Sequence, residues 1–154
     1  MRSLRLVTTV AIALAVTVPA GAGMAQTREE IIKQRADLMH HQFHDWLVVR
    51  NYLQGKADQA AVIAAVDGLA KSVPTVPKYF PPGTEGPGPS GKYAPAPEVW
   101  TKHDKFLAAD KKVGEQVAVL GAAIKSGDQA KAAAAFKELN ACNACHHTFQ
   151  RQVK

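Results

Sequence analysis

The stretch ELNACNACHHTFQRQ, residues 138–152, holds the only two cysteines of the 154-residue chain, Cys142 and Cys145, and His146 directly follows them. Residues three and four apart share one face of a helix, so these three side chains would project to the same side of a C-terminal helix. Three chemistries use such a pair: a disulfide, half of a metal site, and a covalently attached haem. The other features of the sequence discriminate among them.

The spacing of the cysteines favours covalent haem. A disulfide between residues three apart would distort a regular helix, and a redox-active Cys-x-x-Cys pair normally follows a strand. A zinc site needs further ligands, and the sequence has neither a second cysteine pair nor a histidine at a paired zinc spacing. Cys-x-x-Cys-His is the attachment motif of c-type haem. We therefore predict one covalent haem c bound through Cys142 and Cys145, with His146 as an axial iron ligand.

The N-terminus has the layout of a secretory signal peptide. Arg2 and Arg5 precede an apolar run of 13 residues, Leu6 to Val18, and small residues then lead to Ala25. This run is shorter than the roughly 20 residues that span a bilayer. We predict cleavage after Ala25 and one exported domain over residues 26–154, which in a Gram-negative cell would be periplasmic. No later stretch is predicted to span a membrane.

The charge of the chain indicates no nucleic-acid partner. Without Arg2 and Arg5 the 19 basic residues become 17, against 13 acidic ones, so the net charge falls from +6 to about +4. The lysines are spread along the chain rather than clustered, which indicates a solvated surface. The sequence also contains no Ser-His-Asp set, phosphate loop or paired-carboxylate site, and we predict that the protein is not an enzyme.

The hydrophobic pattern predicts four helices and no strands. They cover residues 27–54, residues 58–72, residues 101–127 and a last segment from 128 almost to the C-terminus. Thr27 and Glu30 are a candidate capping box for the first helix. Thr101 and Asp104 repeat that pattern at the third helix, which Gly127 ends. The inner stripe of the first helix includes Phe43. The predicted fold class is all-α, an antiparallel four-helix bundle.

A long segment rich in proline and glycine, residues 73–100, separates the second and third helices. It contains every proline of the chain after residue 25, so it cannot be helical through its middle. A structureless loop of this length is usually functional or disordered. Because it also contains Tyr79, Phe80, Tyr93 and Trp100, we predict an ordered crossover whose aromatic side chains pack on the bundle.

The second face of the predicted haem must be covered by a residue that precedes the attachment motif. Only a few residues follow the motif, which excludes the arrangement in which a methionine ligand lies far downstream. Met39, on the first helix, is the only methionine after residue 25. We predict that it faces the iron from the side opposite His146, either as a ligand or as a side chain that packs over the ring.

The sequence resembles the cytochrome c prime family, the class II c-type cytochromes. IIKQRADLMHHQFHDW, residues 31–46, is similar to the first helix of the family. YFPPGTEGPGPSGKYAPAPEVW, residues 79–100, is similar to its proline-rich crossover, and CNACHHTF, residues 142–149, to its haem helix. The resemblance implies a four-helix bundle, covalent haem c, a periplasmic location and a homodimer. Gln150 stands where the family usually has a basic residue.

Two functions follow from the two roles of Met39. If its sulfur binds the iron, the resemblance implies an electron carrier that serves an unidentified redox protein, and we predict this function. If Met39 only packs, the alternative is a five-coordinate haem that binds nitric oxide or carbon monoxide. We further predict that Arg35, one turn before Met39, pairs with a haem propionate and that Tyr93 touches the haem edge.

Overall fold

The computed structural model describes residues 26–139 and 141–153, so the predicted signal peptide lies outside the described residues. The helices are α1 (Arg28–Leu53), α2 (Gln59–Ser72), α3 (Glu98–Thr101), α4 (His103–Lys125), α5 (Gln129–Glu138) and α6 (Ala141–Phe149), with a 3-10 helix over Val73–Tyr79 and two strands, β1 (Tyr93–Pro95) and β2 (Gln150–Gln152). α1, α2 and α4 form the bundle together with a fourth member that comprises α5 and α6. The predicted four-helix bundle is confirmed.

Three of the helices begin at side-chain caps that the local sequence encodes. The Thr27 hydroxyl accepts the Glu30 N–H at 3.2 Å, and the Glu30 carboxylate accepts the Thr27 N–H at 2.8 Å, which confirms the predicted capping box. Asp58 and Asp128 cap α2 and α5 by accepting the N–H three residues on, at 2.7 and 2.9 Å. These bonds satisfy donors that a helix start leaves free.

The predicted capping pattern of the third helix, Thr101 with Asp104, is wrong, although that helix begins near the predicted residue. Residues 98–101 form the short helix α3, and α4 begins only at His103, after Lys102, which makes no side-chain cap bond. The Thr101 hydroxyl donates to the carbonyl of Pro97 at 3.2 Å instead of capping α4. The reason is that Pro97, which lacks an N–H, starts a separate helical turn four residues earlier. The fourth helix, predicted as continuous, is likewise present as α5 and α6.

The prediction that the chain has no strands is also wrong. β1 pairs antiparallel with β2, with Tyr93 opposite Gln152, Ala94 opposite Arg151 and Pro95 opposite Gln150. Two backbone bonds extend the contact: Ala96 N–H donates to Phe149 O at 2.9 Å, and Val153 N–H donates to Lys92 O at 2.9 Å. Three-residue strands show no alternation that a sequence pattern could reveal. The pairing joins the crossover to the segment that follows α6.

The core consists of two clusters. The first, the bundle cluster, joins α1, α2, α4 and α5, and contains Val49, Val62, Ala65, Val66, Leu69, Val73, Val113, Val117, Leu120, Ala123, Ile124, Ala132, Ala135 and Leu139. The second, the crossover cluster, contains Val76, Phe80, Val99, Phe106 and Phe149. The Phe106 ring stands edge-on to Phe80 at 5.1 Å and to Phe149 at 5.3 Å. The crossover is therefore ordered on the bundle, as predicted.

Phe43 does not belong to the core, although the helical stripe of α1 predicted that it would. Its side chain is 59% exposed and stacks on Trp46 with 6.1 Å between ring centroids. Trp46 in turn contacts Phe136 of α5 at 5.3 Å. Because Trp46 fills the position between α1 and α5, the Phe43 ring remains outside it.

One segment, Gln59–Tyr79, is long and apolar enough to qualify as a membrane span by composition, with a mean hydropathy of 1.2. This finding differs from the prediction that no stretch after residue 25 is apolar enough to span a membrane. Within the structure Val62, Val66 and Leu69 of this segment are buried in the bundle cluster. A core helix meets the same criterion, so the composition of this segment is weak evidence for a span.

Candidate haem site

The two cysteines lie on α6 and contact different parts of the core. Cys142 packs against the bundle cluster, whereas Cys145 packs against the crossover cluster. Both are partly buried. The attachment motif thus lies at the boundary between the two clusters, where α6 packs on α4.

Before haem is attached, burial further favours the protonated form of both thiols. It raises the pKa of Cys142. The pKa of Cys145 rises to about 11, first through burial and then through the nearby charges of Asp110 and Cys142. Redox-active cysteine pairs have a lowered thiol pKa instead. The environment of the pair is therefore unlike that of a dithiol redox centre and suits attachment to an apolar prosthetic group.

His146 also lies on α6, and the residue taken as a whole is exposed to solvent. Surrounding protein atoms nevertheless desolvate the imidazole and lower its pKa from the usual value. A neutral imidazole is the form that binds a metal ion. His146 thus has the protonation state that an axial iron ligand requires.

Met39 lies on α1 and is partly buried. It packs against the crossover cluster, which Cys145 of α6 also contacts. The fold therefore brings the predicted distal residue and one predicted attachment residue to the same aromatic cluster. Whether the sulfur of Met39 binds the iron stays a prediction.

Arg35 is buried, with 6% of its surface exposed. Its guanidinium donates to the carbonyl oxygens of Thr84, Gly86 and Tyr79 in the crossover. Desolvation lowers its pKa to about 10, with a contribution from the Arg28 charge that Glu85 opposes. The group remains a cation at neutral pH. Its predicted pairing with a haem propionate stays a prediction.

Tyr93 is 45% exposed and lies on β1 opposite Gln152 of β2. Its predicted contact with the haem edge stays a prediction.

Two buried or partly buried carboxylates were not anticipated from the sequence. Asp110 of α4 lies near Cys145, and burial raises its pKa to about 6. Asp45 of α1 is 6% exposed, and burial raises its pKa as well. Both residues lie on the inner face of their helix, and this position in the helical repeat is the sequence feature that could have indicated their burial.

The residues at this site fit haem c. Cys145 and Met39 contact the aromatic crossover cluster, Cys142 contacts the bundle cluster, and His146 follows Cys145 on α6. These apolar surroundings, with an imidazole beside the two sulfurs, suit an apolar ring that bears iron. Within residues 26–139 and 141–153, no group of three or more histidine, cysteine or acidic residues is arranged to hold a free metal ion.

Comparisons with known proteins identify the family that this chain resembles. The family model described as Cytochrome C' matches residues 30–150. Cytochrome c-556 from Rhodopseudomonas palustris is 31% identical over 147 residues, which cover 92% of this chain and 95% of that protein. The structure of cytochrome c' from Rubrivivax gelatinosus is 28% identical with a TM-score of 0.72, over 82% of this chain and 98% of the other.

A second solved structure is a nitric oxide complex of a mutant cytochrome c prime from Alcaligenes xylosoxidans. It is 26% identical with a TM-score of 0.70, and the alignment covers 81% of this chain and 97% of the other. The similarities extend over nearly the whole described part of the chain, including both helices of the candidate site.

Proposed function

The chain belongs to the cytochrome c′ family and carries covalent haem c, and we propose that it is an exported electron carrier whose haem is held on α6. Cys142 and Cys145 would provide the two thioether bonds, and His146 one axial ligand. Bound haem would supply a one-electron iron couple whose potential depends on the axial ligands and their surroundings.

The observation that carries the electron-transfer proposal is the position of Met39. Met39 and Cys145 contact one cluster although they lie on different helices. A thioether ligand opposite His146 would complete the coordination of the iron, so that little rearrangement would accompany a change of iron charge. Methionine ligation also raises the potential of a c-type haem.

Binding of a small gas is the second candidate function. It is supported by the similar structure of a cytochrome c prime that is a nitric oxide complex. If Met39 only packs against the crossover cluster, one axial position of the iron is open to nitric oxide or carbon monoxide. The two candidates thus differ in one bond, between the Met39 sulfur and the iron.

The remaining parts of the proposal concern compartment, assembly and chemistry. The signal-like N-terminus supports export to the periplasm, where a redox protein would exchange electrons with the haem. The family resemblance supports a homodimer. We also propose that the protein is not an enzyme. His40 is exposed and lies about 100° around α1 from Met39, so it is poorly placed as an acid–base group on that side.

Absorption spectra of the purified protein and of Met39→Leu test this proposal. We expect the native protein to be low-spin in both oxidation states and indifferent to carbon monoxide. In Met39→Leu the loss of the sulfur should leave the iron five-coordinate and high-spin, and added carbon monoxide should shift its spectrum. Leucine keeps the apolar volume, so the cluster should stay filled.

Leu38→Met is the matched control, because Leu38 is also partly buried against the crossover cluster. Its spectra should equal those of the native protein. A high-spin native protein that responds to carbon monoxide would contradict Met39 ligation and make gas binding the function. Haem that separates from the chain on a denaturing gel would contradict attachment through Cys142 and Cys145.

A further inference from the structure

The guanidinium of Arg35 is bonded to the backbone of the crossover. Nη1 and Nη2 donate to the carbonyl of Thr84 at 3.1 and 3.0 Å. Nη2 also donates to Gly86 O at 3.2 Å, and Nη1 to Tyr79 O at 3.3 Å. These two nitrogens carry four of the five N–H donors of the side chain. One side chain of α1 therefore holds both ends of residues 79–86.

This segment needs donors from outside itself. Pro81 and Pro82 have no N–H, and residues 79–86 belong to no strand. Thr84 is only 3% exposed, so its carbonyl must find a partner within the protein. The Thr84 hydroxyl donates to Pro81 O at 2.8 Å, which uses its own hydrogen inside the loop. Arg35 supplies the hydrogen bonds that a strand partner would supply elsewhere.

The same side chain also positions an aromatic ring of the core. The Arg35 Cζ atom lies 4.8 Å from the centroid of Phe80, within the range of a cation–π contact. Phe80 belongs to the crossover cluster that Met39 and Cys145 contact. Trp100 Nε1 donates to Phe80 O at 2.9 Å from the opposite end of the crossover. Phe80 is thus fixed through its ring by α1 and through its backbone by Trp100.

We propose that Arg35 is a positioning residue that latches residues 79–86 and the Phe80 ring onto the crossover cluster, and thereby limits the access of small gases to the Met39 side of the haem. This role differs from the predicted ion pair with a haem propionate, because Nη1 and Nη2 of Arg35 already donate hydrogen bonds to backbone carbonyls. A propionate would have to displace a carbonyl or use Nε. The gas-access part rests on the proposed haem function, whereas the latch itself does not.

Hydrogen exchange of the haem-loaded protein tests the latch with Arg35→Lys. Lysine keeps the charge but cannot form the planar fork. The reporters are the amide of Phe80, which donates to Pro77 O at 3.2 Å, and that of Gly88, which donates to Tyr93 O at 3.1 Å. Loss of hydrogen bonds from a charged donor should make both amides exchange roughly ten-fold faster or more. Amides within α2 should be unchanged.

Arg50→Lys is the matched control. Arg50 lies on the same helix and also stands over an aromatic ring, with Cζ 5.4 Å from the centroid of Trp46, but it is exposed. Its substitution should leave the exchange of the Phe80 and Gly88 amides unchanged. The comparison separates the crossover bonds from a general effect of replacing an arginine on α1.

Carbon monoxide association tests the effect on access. It is best measured in the Met39→Leu background, where one axial position is open whichever role Met39 has. Association should be severalfold faster in Met39→Leu with Arg35→Lys than in Met39→Leu alone, because the released segment no longer covers that side. A matching rate in the two proteins would overturn the gas-access part of the proposal.

The latch would be overturned by either of two exchange results in Arg35→Lys. Unchanged exchange of the Phe80 and Gly88 amides would show that the Arg35 guanidinium does not hold residues 79–86. If the pH dependence of the haem midpoint potential changed in the same variant, Arg35 would be assigned to a propionate. An equal acceleration of α2 amides would show a general loss of stability. Failure of the proposed haem function is seen separately, in the spectrum of the native protein, and leaves the exchange result intact.

Discussion

Asp110 of α4 is partly buried near Cys145 of α6. Burial raises the pKa of its carboxyl to about 6. The folded protein therefore binds a proton at Asp110 at a pH where the unfolded chain has lost it. An ionised Asp110 makes the fold less stable above pH 6.

We expect Asp110→Asn to stabilise the protein at pH 8 and to have little effect near pH 4. Stability falls with rising pH wherever the folded state binds more protons, here between the ordinary value of 3.8 and about 6. Since the carboxyl is only half buried, solvent screening reduces the expected gain to about 1 kcal/mol. Urea unfolding at both pH values measures it.

Asp104→Asn on the same helix is the control, because Asp104 is exposed. It should show no comparable gain that depends on pH. Equal effects of Asp110→Asn at pH 4 and pH 8 would mean that the carboxyl is not buried in the haem-loaded protein.

The strands β1 and β2 are the shortest elements of the fold, but they join its two least regular parts. Along a strand of an antiparallel pair, the N–H groups of successive residues point alternately toward the partner strand and away from it. The bonds from Ala96 to Phe149 and from Val153 to Lys92 place the N–H of Arg151 toward β1 and that of Gln152 away from it. The two positions therefore differ in what a proline would remove.

We expect Arg151→Pro to open the pair, since proline removes a donor from the ladder. The amides of Ala96 and Val153 should then exchange roughly ten-fold faster or more. Gln152→Pro should have a much smaller effect, because the N–H that it removes faces away from β1. Hydrogen exchange followed by NMR measures both variants, and an equal response would refute the register.

The stability of the whole molecule depends mainly on the bundle cluster, in which α4 contacts α2 and α5. Leu120 of α4 is fully buried there, whereas its neighbour Val119 is 62% exposed. Each of these side chains lies on the same helix in the same turn. Substitutions at these two positions therefore compare the contributions of the inner and outer faces of α4 to stability.

Leu120→Ala should lower the free energy of unfolding by about 3 kcal/mol, because it removes apolar contacts and leaves a cavity. Val119→Ala should change it by less than about 0.5 kcal/mol. Denaturant unfolding of the haem-loaded proteins gives both values. Similar losses in the two variants would contradict the orientation of α4 in the bundle.

Features that depend on residues close in sequence could be predicted. The capping box of Thr27 and Glu30 spans one turn, and the helical repeat of Val62, Val66 and Leu69 identifies the buried face of α2. The haem motif is local as well, because two thiols and an imidazole must lie within one turn of α6. For these features the interacting groups are neighbours in the chain, so spacing alone carries the information.

Features that join distant residues could not be predicted. Phe43 satisfies the helical repeat yet is exposed, because Trp46 and Phe136 of α5 occupy the space beside it. The start of α4, the pairing of β1 with β2 and the carbonyl partners of Arg35 likewise depend on where the crossover crosses the bundle. No periodicity encodes that path, because prolines and glycines interrupt it.

The sequence by itself thus determined the helical bundle, the capping box of α1 and the inner face of α2, and it predicts haem attachment at Cys142, Cys145 and His146. Only the tertiary structure decided that Met39 and Cys145 contact one cluster and that Arg35 bonds to the crossover. The physical reason is that helix formation and covalent attachment use groups within one or two turns of each other. The surroundings of the site, in contrast, form only when separate helices bury a common core.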